Sequence, residues 1–358
     1  MKKLFVISIL FLLVASLSYI YWDKWSKWDA NKVYNEYNSA VWLVHTKWGY
    51  RMMVDGEDRT RDFFFLNGNE TQNSISSCEI LDDGSTAING GLFDGSATAF
   101  FIREDGMLAT NKHVLCPWLY DSEPDNLARL EDNLRMFYTQ KANDTDTLYL
   151  HIAQNLKVIG SVDSIWIIPN GKADIPENRI ECKLLKAEAP HTVFFYEMVD
   201  PESTHDGEDA TIFQTVSETL PTSVKRVIDS FEEWDEKGYW DGSVSSLSRI
   251  GEVVYSIGYP YGYNSQVTMI KSQSDMISSQ IQNGIITQYR DEYSFGHNIP
   301  VANGMSGAPI INDKGHLVGI HTSGVTSTTG VQGINQGVSA MFITWDLNDW
   351  DSIKEKQE

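Results

Sequence analysis

Cysteine is scarce in this sequence: Cys78, Cys116 and Cys182 are the only three in 358 residues. None of them stands at the paired spacing that holds zinc or a redox centre, so neither a metal nor another cofactor is expected. At most one disulfide can form, and one thiol is left over. Positive charge is short as well, with 28 Lys and Arg against 49 Asp and Glu, a formal charge of −21. The acidic excess is spread along the chain as a solvated surface that repels nucleic acid and anionic lipid, which argues against a nucleic-acid partner. Internal repeats and low-complexity tracts are missing too. What is present is a 42% hydrophobic and 12% aromatic composition, enough for one large domain or two packed halves with real cores.

An uncharged apolar run extends from Leu4 to Ile20, directly after Met1-Lys2-Lys3. A short positive start followed by such a run is an export signal. Its length of about 25 Å as a helix is slightly below the hydrocarbon thickness of a bilayer. Ser16 and Ser18 offer a cleavage site, whereas Tyr19, Tyr21, Trp22, Trp25 and Trp28 suit an interfacial aromatic belt on a retained anchor. Residues 1–22 are therefore a signal peptide or a signal anchor, and 23–36 a polar spacer. Either way the rest of the chain is expected outside the cytoplasm, secreted or periplasmic after cleavage and otherwise held at the membrane through this segment.

From Ala40 to Thr46 the chain reads as a first strand, rich in β-branched and aromatic residues. Residues 55–91 carry Asn-Gly, Asp-Gly and Gly-Gly turn signals and read as a long excursion with one short hairpin. Ala97 to Ile102 and Met107 to Thr110, around the turn Glu104-Asp105-Gly106, form a hairpin that delivers His113. A helix is expected from Asp125 to Ala142, where Leu127, Leu130, Leu134 and Phe137 recur near helical spacing. Strands are expected at 148–152, 158–168, 181–186 and 209–216, and, beyond a Ser-rich acidic connection, at 253–257, 267–270, 281–288, 308–311, 316–322 and 338–343. Many short strands with one or two helices indicate an all-β architecture.

Gly304-Met305-Ser306-Gly307-Ala308-Pro309 sets a serine between two glycines. Glycine lets the backbone turn sharply, exposing the hydroxyl and leaving amide N–H groups to converge on one point, as acyl transfer requires. A neutral serine is a poor nucleophile and needs a general base within reach. His113 is the candidate, and the base in turn needs a carboxylate to fix its tautomer. Asp209 opens the alternating run Asp209-Ala210-Thr211-Ile212-Phe213, while the competing Asp206 belongs to an Asp-Gly turn.

The segment Phe100 to Val114, ending in Thr110-Asn111-Lys112-His113-Val114, resembles the HtrA-type branch of the trypsin-like serine proteases. There a Gly-Ser or Gly-Thr, here Gly95-Ser96, precedes a hairpin that ends in Thr-Asn-x-His-Val. Glu208 to Phe213 is similar to the family's Asp-x-Ala-x-Leu segment, Arg249 to Gly262 to the start of its second barrel, and Gly315 to Thr322 to the strand after the nucleophile. The resemblance covers about 40–343 and preserves the order His, Asp, Ser. It implies two packed β-barrels: a protease domain over 37–347, with a first barrel at about 37–216, a linker at 217–248 and a second barrel at about 249–347. The His-to-Asp interval is longer than usual, and the excess is assigned to a helix-containing insertion at 117–205. Residues 348–358 are a polar tail, and no PDZ-like segment follows the second barrel.

The implied activity is serine endopeptidase chemistry on protein or peptide substrates. His113, Asp209 and Ser306 form the catalytic triad, and the N–H groups of Gly304 and Ser306 the oxyanion hole. Thr322, Ser323 and Gly324 lie along the substrate as an edge strand. His321, in Gly319-Ile320-His321, resembles the pocket histidine of glutamyl endopeptidases and viral 3C proteases, which implies Glu or Gln before the scissile bond. Val301 stands where those enzymes carry a hydroxyl, a position closer to the small apolar pocket of HtrA-type enzymes. The rival reading from another class is a catalytically inactive protease fold used for binding. An α/β-hydrolase esterase fits poorly, because Ala308 breaks Gly-x-Ser-x-Gly and the chain order is wrong.

Overall fold

The computed structural model describes residues 27–66, 71–80, 86–119, 123–142, 147–185, 209–231, 250–260, 262, 277–289, 294–324 and 335–357. The N-terminal apolar run and the strand expected at 267–270 lie outside them. Among the described residues no helix is long and apolar enough to cross a membrane.

Two β-barrels carry the fold. The first is built on the long strand β1 (Val41–Val54), with β2 (Glu57–Asp58) folding back on its end. One edge of β1 pairs with β5 (Phe93–Phe101), from Val41 opposite Phe100 to Trp48 opposite Phe93. The other edge pairs with β7 (Leu156–Ile168), from Leu43 opposite Ile168 to Val54 opposite Leu156. Strands β6 (Met107–Thr110), β9 (Thr211–Thr215) and β8 (Ile180–Leu184) complete a six-stranded ring in the order β1-β5-β6-β9-β8-β7. Every residue of β6 and β9 is buried, and these two strands are written in apolar and β-branched residues with Gln214 as the exception. A hairpin of β3 (Ile75–Ile80) and β4 (Thr86–Gly90) extends the sheet beyond β1.

The second barrel closes as β10 (Val253–Gly258), β11 (Gln280–Tyr289), β12 (Ser294–His297), β15 (Asn335–Ser339), β14 (Leu317–Gly324) and β13 (Pro309–Asn312). Val254, Ile286, Phe295, Ile299, Ile310 and Val318 fill it. The connection after β9 crosses the first barrel, with Leu220 N–H donating to Glu104 O and Ile228 N–H to Phe101 O. It reaches the second where Leu317 N–H donates to Ser230 O.

Four expectations change. The span 117–205 is not all insertion, because β7 and β8 lie within it and are members of the first ring. The part that stands outside the ring is a helical pair, α4 (Glu123–Lys141) and α5 (Thr147–Asn155); α-helices are numbered here in chain order after α1 (Ala30–Tyr37), α2 (Thr60–Leu66) and α3 (Lys112–Leu115). Residues 148–152 are helical rather than a strand. Tyr149, Ile152 and Ala153 pack inward at helical spacing, while Leu148 and Leu150 remain exposed and mask that period in the sequence. Leu130, Leu134 and Tyr138 bury one stripe of α4. Glu131 on α4 accepts the Val158 N–H at 2.8 Å, tying that helix to β7, and Arg135 donates to Ala153 O at 3.0 Å, tying α4 to α5.

The polar spacer is the third change, because residues 27–36 are docked on the second barrel. Asp29 caps α1 by accepting Lys32 N–H at 2.8 Å, and α1 buries Val33 and Tyr37. Trp28 N–H donates to Asp313 O at 2.6 Å, and the Tyr37 hydroxyl to Gly315 O at 2.8 Å. At the other end the expected strand 338–343 divides into β15 and α6 (Met341–Gln357), which absorbs the polar tail. Trp350 is buried, and Arg103 pairs with Asp351 at 2.7 Å, which a local reading of 348–358 does not contain. The cysteines are three separate buried thiols. Burial pushes Cys78 and Cys116 up to about 12 and Cys182 further up.

Candidate active site

Strand pairing sets the first half of the site. Thr110 lies opposite Thr211 at the end of the antiparallel pair β6–β9. His113, three residues beyond Thr110, and Asp209, two before Thr211, therefore leave the barrel at the same rim. The short helix α3 turns the His113 backbone toward the carboxylate, so Asp209 accepts the His113 N–H at 3.0 Å on one oxygen. The other oxygen contacts His113 Nδ1 at 2.6 Å. The same oxygen accepts the Thr322 hydroxyl, and the Asn111 side-chain amide donates to the Asp209 carbonyl. A carboxylate accepts only, so Nδ1 carries the proton and Nε2 is left as the basic nitrogen. The Asp209 side chain is 11% exposed and that of His113 28%. Asp206 lies outside the described residues.

The second half is the Ser306 turn between Ile299 and β13. Gly304 and Gly307 have φ of +93° and +83°, in the region that disfavours any side chain. A Cβ on Gly307 would also collide with Thr98 O and Thr110 Oγ1, and one on Gly304 with Tyr259 O and Gly262 N. Met305 is fully buried beneath the turn. Met305 N–H donates to Ala302 O, Gly307 N–H to His321 O and Ala308 N–H to Met305 O. The N–H groups of Gly304 and Ser306 donate to no acceptor among the described residues. Ser306 Oγ donates to Thr322 O at 3.2 Å. Thr322 thus meets both halves, with its carbonyl on the serine and its hydroxyl on Asp209.

Of the other expected residues, His321 is 3% exposed, and its Nδ1 lies 3.2 Å from His297 Nε2. His297 Nδ1 accepts the Ile299 N–H at 3.3 Å. That assigns the proton of His297 to Nε2, which donates to His321 Nδ1, so that His321 carries its own proton on Nε2. Burial holds both rings neutral: it pushes His297 down to about 4 and, with the charges of His297 and His113 adding, His321 to about 3. Val301 packs on the second barrel's core. Ser323 and Gly324 pair with Gln336 and Asn335 on β15, after an irregularity at Thr322. On its β13 side, β14 pairs as far as Ile320, and the backbone of His321 is engaged there too, its N–H on Ala308 O and its carbonyl accepting the Gly307 N–H.

Sequence reasoning missed three supports of the site. Thr322 is expected from the sequence as a substrate-binding edge-strand residue and not as a partner of Asp209, and His297 is not expected at all, since nothing in Phe295-Gly296-His297 marks it. The third is Thr98, two residues after Ser96: its Oγ1 donates to Gly304 O at 2.8 Å.

His297 and His321, and His45 buried between Asp94 and Asp174, have folded pKa values below their unfolded value. The unfolded chain therefore binds more protons as pH falls below about 6.5, and stability is full above that pH and lost on acidification. Thermal unfolding followed from pH 7.5 to 4 is expected to show a falling midpoint. The His297→Gln variant is expected to fall less steeply over the same range. Equal slopes in the two proteins would mean that this ring titrates freely in the fold.

A family model described as the trypsin-like peptidase domain matches residues 97–320, more than half of the chain. The chain belongs to that family. Among curated proteins it is 26% identical over 118 residues to a probable periplasmic serine endoprotease, DegP-like, of Buchnera aphidicola; the match covers 32% of this chain and 24% of that relative. Among solved structures it is similar to the serine endoprotease from Yersinia pestis, with 13% identity, TM-score 0.42, and coverage of 90% of this chain and 66% of the other. It is likewise similar to the HtrA-type protease AlgW with a decapeptide, with 15% identity, TM-score 0.42, and coverage of 92% and 68%.

Proposed function

We propose that this protein is a serine endopeptidase that works outside the cytoplasm on protein or peptide substrates, without a cofactor. The observation that carries the reading is the Asp209 carboxylate receiving both the backbone N–H and Nδ1 of His113, with Thr322 linking it to Ser306. A base oriented in this way has its second nitrogen as the basic one, the atom that takes a serine proton in acyl transfer. His113 takes the proton of Ser306 as the hydroxyl attacks the peptide carbonyl, and returns it to the leaving amine. Asp209 holds the ring and stabilises the imidazolium. Gly304 and Ser306 donate their N–H groups to the oxyanion, a contribution of about 3 kcal/mol per donor in comparable sites.

Residues 322–324 pair with the extended substrate along the uncovered side of β14, and Val301 supports the pocket from the barrel core. His321 reads the side chain before the scissile bond. Because it is neutral, it offers an N–H to Gln or Glu and holds no charge of its own. The amide of Gln accepts that bond without burying a carboxylate, which favours Gln. The N-terminal apolar run exports the domain, and if uncleaved tethers it to the membrane. The periplasmic name of the DegP-like relative supports that side of the membrane.

A fluorophosphonate probe distinguishes an enzyme from a binding protein of the same fold. The wild-type chain is expected to take up one equivalent at Ser306, located by peptide mass mapping. A folded protein that stays unlabelled over hours at neutral pH would be the inactive binding module.

A further inference from the structure

The first barrel reaches into the nucleophile turn of the second through one fully buried residue, Thr98 on β5. Its N–H donates to Ser306 O at 2.9 Å, and its hydroxyl donates to Gly304 O at 2.8 Å while accepting the Tyr259 N–H at 3.1 Å. Its carbonyl accepts the Thr110 hydroxyl at 2.8 Å, which anchors the residue to β6. Every polar atom of Thr98 is thereby engaged, two of them on alternate peptides of the same four-residue turn.

A trans peptide is planar, with its C=O and N–H pointing in opposite directions. Fixing the carbonyls of Gly304 and Ser306 toward Thr98 fixes the N–H groups of Met305 and Gly307 away from it, and these donate to Ala302 O and His321 O. The peptide between them is pinned separately, by Ala308 N–H on Met305 O. With both flanking peptides immobilised, the Ser306 N–H has one direction left.

We propose that Thr98 is the positioning residue of the oxyanion hole: its hydroxyl, acting from the first barrel, sets the orientation of the Gly304–Ser306 backbone in the second. The inference rests on the serine endopeptidase reading. It places the control of transition-state stabilisation at the seam between the barrels, where a shift of one against the other changes the rate before it changes binding.

Thr98→Val keeps the shape and the backbone bonds and deletes only the hydroxyl, so Gly304 O and Tyr259 N–H lose their partner. Inactivation by a fluorophosphonate, resolved into kinact and KI, is the measurement. For Thr98→Val, kinact is expected to fall at least about tenfold, as for a misaligned reacting group, with KI within about threefold. Thr98→Ser is expected to recover most of kinact, since it restores the hydroxyl without the methyl. The acidic limb of the pH profile should stay where it is, because His113 and Asp209 are untouched.

If Thr98→Val cannot be recovered folded, the ratio of kinact between Thr98→Ser and Thr98→Ala reads the hydroxyl instead, and at least about tenfold is again expected. A wild-type kinact in Thr98→Val, a Ser-to-Ala ratio near one, or a loss confined to KI would each overturn the proposal. Failure of the wild-type protein to react would overturn the endopeptidase reading itself, and is distinct from all three.

Discussion

Ser306→Ala is expected to lower peptide-bond cleavage by about 10⁶-fold in kcat, the loss seen where a triad nucleophile is removed, and to abolish fluorophosphonate labelling. The effect is large because, in the proposed triad, His113 and Asp209 act only through the hydroxyl. With no oxygen to deprotonate, their geometry stabilises nothing. What remains is substrate binding and the oxyanion donors, worth about 10³–10⁴ over water. His113→Ala should cost nearly as much. Asp209→Asn should cost about 10⁴-fold, because an amide in place of the carboxylate stabilises the wrong tautomer. The variant should fold, since Ser306 contributes one side-chain bond, to Thr322 O. Digestion of a denatured protein such as casein, followed by mass spectrometry, reads the result. Equal digestion by wild type and Ser306→Ala would assign any proteolysis to a contaminant and the fold to binding.

His321→Ala is expected to remove the preference for Gln or Glu before the scissile bond. A pocket that hydrogen-bonds its substrate rejects analogues lacking the bond by about 10⁴, whereas an apolar pocket discriminates a methylene by only about 10–200-fold. In a peptide-library profile the wild type should favour Gln, with Glu next and Val well below. The Ala variant should lose at least about 100-fold of the Gln-to-Val ratio in kcat/KM. Because burial pushes His321 down to about 3 and its neighbour His297 to about 4, neither titrates near neutrality. The Gln-to-Val ratio should then be flat from pH 5 to 8. A profile of Val or Ala that is unchanged in His321→Ala would make the histidine a core residue, leaving an apolar pocket of the HtrA type.

The elements legible in the sequence are those whose information is local. The hairpin that delivers His113, the strand that follows Asp209 and the glycines around Ser306 are each written within a dozen residues, by alternation, turn chemistry and positive φ. Where local pattern and tertiary role part, the reading failed. Leu148 and Leu150 are apolar but exposed, so α5 looked like a strand. Residues 27–36 read as a spacer because Trp28 and Tyr34 find their partners at Asp313 and Ser279, hundreds of residues away. The strands β7 and β8 were recognised as strands and still assigned to an insertion, because ring closure onto β1 is a long-range pairing that no local window contains.

The sequence by itself determined which residue types stand at the motif positions, their order along the chain, and the all-β character that short alternating runs impose. Only the tertiary structure decided which groups hold them there. Thr322 joins Asp209 to Ser306 across the two barrels, Thr98 grips the serine turn from the first barrel, and His297 sets the proton on His321. Each of these is a hydrogen bond between segments far apart in the chain. Its energy depends on tenths of an ångström in packing, which residue spacing does not encode.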